Sequence, residues 1–277
     1  MLLAHAAMPG QFEAASVDHG LRPEAAGEAA LAASICAGLG VPHQILRVTV
    51  ADGNLQDAAR HARYAALATW AAERGLAALA TAHHADDQAE TLLMRLNRGS
   101  GVSGLAGVRA RSTVPDGELP LLRPLLGWRR EELADVATQA GVDTAQDPSN
   151  TDQRFDRVRV RKALADADWI DPLALAVSAG NLADAETALD WAAEREWQEA
   201  VSDQGDCLRY DPAAPRAIRI RIVARIIAQL GGSARGSGVA RLVDSLAAGE
   251  ASSLGGVLAR PKHGGWLFGP EPKPRKN

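Results

Sequence analysis

The sequence predicts an α/β protein: a doubly wound parallel sheet, followed by a second, mostly helical region. Three observations carry that prediction. Short apolar runs alternate with helix-period segments between residues 12 and 140, the pattern of parallel strands joined by crossover helices. A polar cluster, His83-His84-Ala85-Asp86-Asp87, stands where one run ends and a helix pattern begins, and open α/β sheets bind ligands at the carboxyl ends of their strands. Beyond Asp147 the alternation stops, and residues 171–230 read as helices with no strand between them.

A chain of 277 residues has room for one large domain or two ordinary ones, and 47% apolar residues suffice for a sizeable core. The change of character divides it into residues 1–165 and 166–277. A net charge of −4 argues against a protein that is basic overall, but not against a local basic patch. The two cysteines, Cys36 and Cys207, are far apart and form no CxxC pair, which argues against a disulfide scaffold or a cysteine-ligated metal and fits a reducing cytoplasm. No run reaches the ~18 apolar residues of a membrane span. The N-terminus lacks the basic and apolar regions of a signal peptide.

In order, residues 1–7 read as the end of an amphipathic helix stopped by Pro9-Gly10. Residues 12–17 read as a strand, and Pro23 then sits at a first helical position. A helix over 25–39 closes at Gly38 and Gly40, and residues 44–50 form a second strand. Asn54, with Asp57 three residues on, caps a helix over 55–75. Residues 76–82 are short enough for one buried strand. Leu92, Leu93 and Leu96 give the next helix its apolar stripe, and Gly99, Gly101 and Gly104 break it. A strand over 121–126 is interrupted by Pro124, and a helix over 130–140 ends at Gly141.

Asp147-Pro148-Ser149-Asn150-Thr151-Asp152 is a loop, followed by the basic cluster Arg154, Arg157, Arg159, Arg161 and Lys162. Val158 and Val160 between the arginines fit either an edge strand or the opening of a helix. Residues 218–222 alternate like a strand, but Ile218, Ile222, Ile226 and Leu230 keep helix spacing over a run too long for an ordinary strand. Residues 254–268 suggest a small hairpin across His263-Gly264-Gly265, and Pro270, Pro272 and Pro274 mark a frayed tail.

The chemistry concentrates after residue 82. His83, Asp87 and Glu90 stand at i, i+4 and i+7, so one helix face carries an imidazole and two carboxylates. A helix N-terminus attracts anions, so the arrangement suits a Mg²⁺-assisted reaction on a phosphorylated ligand. A merely solvated acidic first turn has the same composition.

Five ordered motifs then carry a resemblance. They are Val17-Asp18-His19-Gly20-Leu21-Arg22-Pro23, Ala82-His83-His84-Ala85-Asp86-Asp87-Gln88-Ala89-Glu90-Thr91, Arg98-Gly99-Ser100-Gly101, Leu122-Arg123-Pro124-Leu125-Leu126, and Asp147-Pro148-Ser149-Asn150 followed by Arg157. Together they resemble the tRNA(Ile)-lysidine synthetase family of the N-type ATP pyrophosphatase, or PP-loop, superfamily, over residues 1–165. The resemblance implies an adenine nucleotide alpha hydrolase-like fold for 1–165, a tRNA-contacting role for the helical region 166–277, and three substrates: ATP, L-lysine and tRNA(Ile). In that reaction ATP adenylates C2 of the wobble cytidine, and the lysine amine then displaces AMP. The implied catalytic residues are His83, Asp87, Glu90 and Arg63, with Asp87 and Glu90 also candidates for Mg²⁺. Asp18 and His19 would border the adenosine, and Asn150, Arg154, Arg157, Arg159 and Arg161 would contact tRNA phosphates.

One part of the family pattern has no counterpart after Met1: the first strand and its Ser-Gly-Gly-x-Asp-Ser loop, whose backbone N–H groups cradle pyrophosphate. A start assigned too late and a truncated form are the two readings. The chain as written is therefore expected not to turn over ATP, and the strands flanking the gap are expected to lack a partner. Two other functions compete, a catalytically inactive tRNA-binding protein and a related ATP-dependent tRNA-modifying enzyme such as a thiolase. The absence of CxxC pairs weighs against the thiolase.

Overall fold

The structure is a computed structural model that describes residues 1–20, 23–49, 55–144, 156–234 and 236–272. It forms two compact units, Met1–Ala183 and Asp184–Asn277. The change in sequence character at 165/166 coincides with a helix end at Ala165, whereas the boundary between compact units falls inside the next helix.

The first unit opens with α1 (Leu2–Ala7), β1 (Ala14–Asp18), α2 (Pro23–Gly38), β2 (His43–Arg47) and α3 (Leu55–Glu73). It continues with β3 (Leu79–Ala80), α4 (Ala85–Asn97), α5 (Val102–Leu105), β4 (Arg111–Thr113), β5 (Pro120–Leu122), α6 (Arg130–Gln139) and α7 (Asp156–Ala165). Strands β1 and β2 pair in parallel, with Ala14 opposite His43 and Asp18 opposite Arg47. Strands β3 and β5 also pair in parallel, and β4 adds to β5 antiparallel. The sheet therefore lies in two pieces, β1-β2 and β3-β5-β4. Helix α3 serves both. Its Tyr64, Trp70 and Ala71 form a buried cluster with Leu79, Val114 and Leu121, and Ala15 and Leu46 of the β1-β2 piece pack on the same cluster. Burying one apolar face against strands is what fixes a helix of this kind.

The predicted strands are present but shorter. Residues 121–126 give only Pro120–Leu122, since Pro124 has no N–H to donate to a ladder. Strand β4 was not anticipated, because Arg111-Ser112-Thr113 carries no apolar alternation. It is held instead by Arg123, which donates from Nη1 to the Arg109 carbonyl at 2.7 Å and to Ser112 Oγ at 3.1 Å. The basic segment settles as helix α7 rather than an edge strand.

Helix α8 (Pro172–Ala200) leads into the second unit, which contains β6 (Val201–Asp203), β7 (Leu208–Tyr210), α9 (Arg216–Gln229), α10 (Gly236–Ala247), β8 (Ser252–Leu254), β9 (Val257–Lys262) and β10 (Gly265–Pro270). The strands form one antiparallel sheet in the order β6-β7-β10-β9-β8. This corrects the expectation of helices alone between residues 171 and 230, and the expected hairpin is two strands of a larger sheet. Strands β6 and β7 have three residues each, too short to show a period of two. Helices α9 and α10 cover the sheet with Ile218, Ile222, Val223, Ile226, Val239, Leu242 and Val243, packed on Tyr210, Val257, Ala259 and Phe268. None of the described helices is long and apolar enough to cross a membrane.

Candidate active site

Strand β3 delivers Thr81-Ala82-His83-His84 to the start of α4, and three elements converge there. Helix α4 turns at once: the His84 backbone N–H donates to Asp87 Oδ2 at 3.0 Å, a capping contact that fixes the Asp87 side chain. The Ala85 N–H donates to the Trp128 carbonyl at 2.9 Å, and the first N–H of α6, from Arg130, donates to Asp86 Oδ2 at 2.8 Å. The N-termini of α4 and α6 are thereby tied together through Asp86.

Glu90 is the centre of the cluster, only 1% exposed. Arg157 spans both carboxylates, from Nε to Glu90 Oε2 at 2.6 Å and from Nη2 to Asp87 Oδ1 at 2.8 Å. One turn further along α7, Arg161 donates from Nε to Glu90 Oε1 at 2.7 Å, and Arg130 reaches the same oxygen at 3.3 Å. A buried carboxylate requires such compensation, and three guanidinium groups supply it. The bond to Glu90 in turn raises the Arg161 guanidinium above its ordinary value, against its own burial. No residue of α7 is fully buried, so these ion pairs are its main anchorage on α4.

His83 lies beside this cluster. Its Nδ1 is 2.9 Å from Thr81 Oγ1. Burial lowers its pKa, Asp87 opposes the shift, and Arg123, Arg157 and Arg60 reinforce it. His83 is therefore neutral at pH 7, suited to a hydrogen bond rather than to a charge.

A second group stands at the end of β1. Asp18 Oδ1 accepts from the Gly20 N–H at 2.9 Å, which sets a tight turn with Gly20 at φ +62°. Arg63 of α3 donates from Nε and Nη2 to His19 Nε2, each at 3.3 Å. Burial, then the Arg63 charge, lowers the His19 pKa, with Asp18 opposing. His19 Nδ1 is buried with no hydrogen-bond partner among the described residues. Both side chains open on a cleft of about 520 Å³ between β1, α2 and α3. That size suits a small-molecule ligand. Arg60, one turn before Arg63, links the groups, since its charge acts on His83.

Of the residues singled out by the sequence, the structure brings His83, Asp87, Glu90, Arg157 and Arg161 together, and Asp18, His19 and Arg63 separately. Arg159 turns away and pairs with Asp156 on its own helix, where Arg98 also binds at 3.3 Å. Asn150 and Arg154 lie outside the described residues, as do Leu21, Arg22 and the helix cap Asn54. Arg157 and Arg161, assigned to tRNA phosphates by the resemblance, are here engaged with carboxylates. Sequence reasoning missed Asp86, Arg129 and Arg130 at this site. The pair Arg129-Arg130 opening a helix was visible in the chain, but nothing in it showed which helix N-terminus it would meet.

Gln88, inside a motif, and Arg95, further along α4, turn out to be supports. Gln88 is buried and pairs twice with Val108, donating to its carbonyl and accepting its N–H, both at 2.8 Å. Arg95 donates to the Gly104 and Gly107 carbonyls. Gly107, at φ +65°, is required there, because a Cβ would lie 2.3 Å from Gln88 Oε1.

Among the described residues no cluster of three or more His, Cys, Asp or Glu could hold a metal ion. Asp87 and Glu90 do not fit Mg²⁺ as arranged, since their oxygens face three guanidinium groups and the His84 N–H. A divalent cation would meet positive charge where it needs free carboxylate oxygens.

The site joins strand ends, a helix N-terminus and an arginine-neutralised pair of acids in an α/β frame. Residues 2–167 match the family model described as a PP-loop domain, which places the chain among the PP-loop enzymes that use ATP. The tRNA(Ile)-lysidine synthase of Novosphingobium aromaticivorans is 46% identical over 281 residues, covering all of this chain and 86% of that protein. That of Zymomonas mobilis is 42% identical over 285 residues, covering all of this chain and 85% of that protein. That of Methylobacterium nodulans is 39% identical over 284 residues, covering 95% of this chain and 83% of that protein. The chain belongs to the tRNA(Ile)-lysidine synthase family.

Proposed function

We propose that this protein uses ATP to join L-lysine to C2 of the wobble cytidine of a tRNA(Ile). The observation that carries the reading is the Arg157 fork across Asp87 and Glu90 at the end of β3. In this reading the cleft at His19 and Arg63 takes the adenosine, and the phosphates run past Arg63 and Arg60 toward His83; the cleft's size and the Arg63 contact to His19 support it. The C2 oxygen of the cytidine attacks the α-phosphorus, and pyrophosphate leaves. The lysine amine then attacks C2, and AMP departs with the former C2 oxygen. Most of the catalysis asked of the protein is positioning and charge neutralisation.

Asp87 is the base in this reading. An ammonium must lose a proton before it can attack, and a carboxylate beside it orients the amine and accepts that proton. Arg157 occupies Asp87 in the structure, so a phosphate arriving beside it offers the guanidinium an alternative anion. Exchange of Arg157 from carboxylate to phosphate frees Asp87 for the amine, and Glu90 retains Arg161. Neutral His83 donates to a phosphate oxygen when its outer nitrogen carries the proton. Arg159 and Asp156 form an exposed pair, which is weak, so Arg159 is the described residue of the basic cluster best placed to exchange onto a tRNA phosphate.

The test is nucleoside mass analysis of tRNA(Ile) after incubation with ATP and lysine. It is run on the chain as written and on a fusion with a Ser-Gly-Gly-x-Asp-Ser strand and loop supplied upstream of Met1. A lysine adduct on the wobble cytidine in the fusion supports the reading. tRNA binding without adduct in both arms supports the non-catalytic alternative.

A further inference from the structure

We propose that the cleft beside Glu90 holds L-lysine by its amino-acid head, with Asp168 taking the α-ammonium and Arg129 the α-carboxylate. The proposal rests on the reading that lysine is a substrate, and adds the residues that tell this amino acid from a simple amine.

The cleft, of about 510 Å³, lies between the first turns of α4, the start of α6 and the segment joining α7 to α8. Its wall carries charges of both signs: the carboxylates of Asp86, Glu90, Asp168 and Asp171, and the guanidinium groups of Arg129, Arg130 and Arg161. Four negative charges against three positive leave one carboxylate in excess. That balance disfavours a nucleotide or an RNA phosphate, and favours a ligand that bears both signs with a net positive charge. L-Lysine, with two ammonium groups and one carboxylate, has that charge pattern. The excess is located as well. Glu90 is engaged by arginines, whereas the exposed Asp168 makes no ion pair or side-chain hydrogen bond among the described residues.

Exposure gives the cleft a direction. Asp168 and Asp171 are exposed at its mouth, the Asp86 side chain is 20% exposed, and Glu90, at 1%, closes the inner end. A head that carries two charges is the part of the ligand costliest to take out of water, so it belongs at the mouth. The ε-amine then points inward, toward the carboxylates that the reaction uses. Leu164, Ala167 and Ile170 also line the cleft, half-buried, and offer the methylene stem an apolar surface. Arg129 is the guanidinium available to the α-carboxylate. Arg161 is held on Glu90 at 2.7 Å, whereas the ion pairs of Arg129 to Asp86, Glu131 and Asp171 are 3.7, 3.5 and 3.7 Å long, beyond ordinary hydrogen-bond lengths. Its Nε is buried and makes no hydrogen bond among the described residues. A carboxylate entering the cleft offers this planar fork direct bonds that its present neighbours do not supply.

The experiment is a ligand-observed NMR titration of the full chain, without ATP or RNA. It compares L-lysine with cadaverine, which lacks the α-carboxylate, and with 6-aminohexanoate, which lacks the α-ammonium. Loss of one charge-assisted contact at a partly exposed site weakens binding about tenfold. Asp168→Asn should therefore weaken L-lysine and cadaverine by about that factor and leave 6-aminohexanoate unchanged. Arg129→Gln should weaken L-lysine and 6-aminohexanoate and leave cadaverine unchanged. Equal losses for all three ligands, no loss in either variant, or no binding of L-lysine by wild type overturns the proposal. Arg129 touches Asp86, so a melting scan accompanies Arg129→Gln; Asp168 lies at the surface, and Asp168→Asn decides the matter alone if Arg129→Gln does not fold. No step of the titration depends on ligation. The crossed pattern without a lysine adduct in the fusion strikes the reaction and leaves the site, and adduct formation without the pattern strikes the site alone.

Discussion

At the scale of single residues, the site is governed by which charges are buried together. Glu90 carries almost no exposure and three arginines, while His83 is surrounded by more positive than negative charge. The histidine predicts a pH dependence. Burial lowers the pKa of His83, and also those of His19 and His43, in the folded state. As pH falls below the ordinary histidine value of about 6.5, the unfolded chain takes up protons that the folded chain refuses. The stability associated with these groups is therefore complete above that value and is lost as pH falls through it. Urea unfolding of wild type and His83→Gln between about pH 7.5 and about pH 5.5 checks this. The variant should lose less stability on acidification, and equal losses would mean that His83 is not held neutral.

At the scale of elements, α7 is docked by charge and α9 by apolar burial. Breaking a buried ion pair costs about 3–5 kcal/mol, and Arg157 and Arg130 keep solvent contact, so Glu90→Gln should loosen α7 by about 2 kcal/mol. Amide exchange over residues 156–165 should then speed up roughly thirtyfold. The amides of α9, which belong to the other compact unit, should stay unchanged. Unchanged exchange in α7 would mean that something other than Glu90 anchors it. The same contrast explains what the sequence disclosed. The switch from β3 to α4 was legible because a short apolar run meets a helix period at His83 and His84. So was α9, because Ile218, Ile222, Ile226 and Leu230 keep one face over three turns. Strands β4, β6 and β7 were not, since each has three residues and takes its place from partners elsewhere in the chain.

At the scale of the molecule, the first unit carries the candidate site and the second is built on its own core of α9, α10 and an antiparallel sheet. The motif residues were readable as a set, but their division of labour was not. Gln88 and Arg123 stand inside the motifs and hold loops and strands. Nothing in the sequence shows that Arg157, expected at a tRNA phosphate, spans carboxylates 67 and 70 residues away in the chain. The central claim is that Asp87 handles the amine while other residues hold the tRNA. It is tested most directly by Asp87→Asn in the fusion described above, measuring the rate of lysine adduct formation and tRNA(Ile) affinity on the same preparation. Removal of a group that acts in the transition state costs about 100-fold or more, so the rate should fall by at least that factor while the affinity stays within about twofold. A near-normal rate in Asp87→Asn would contradict the account and move the chemistry to Asp86 or Glu90.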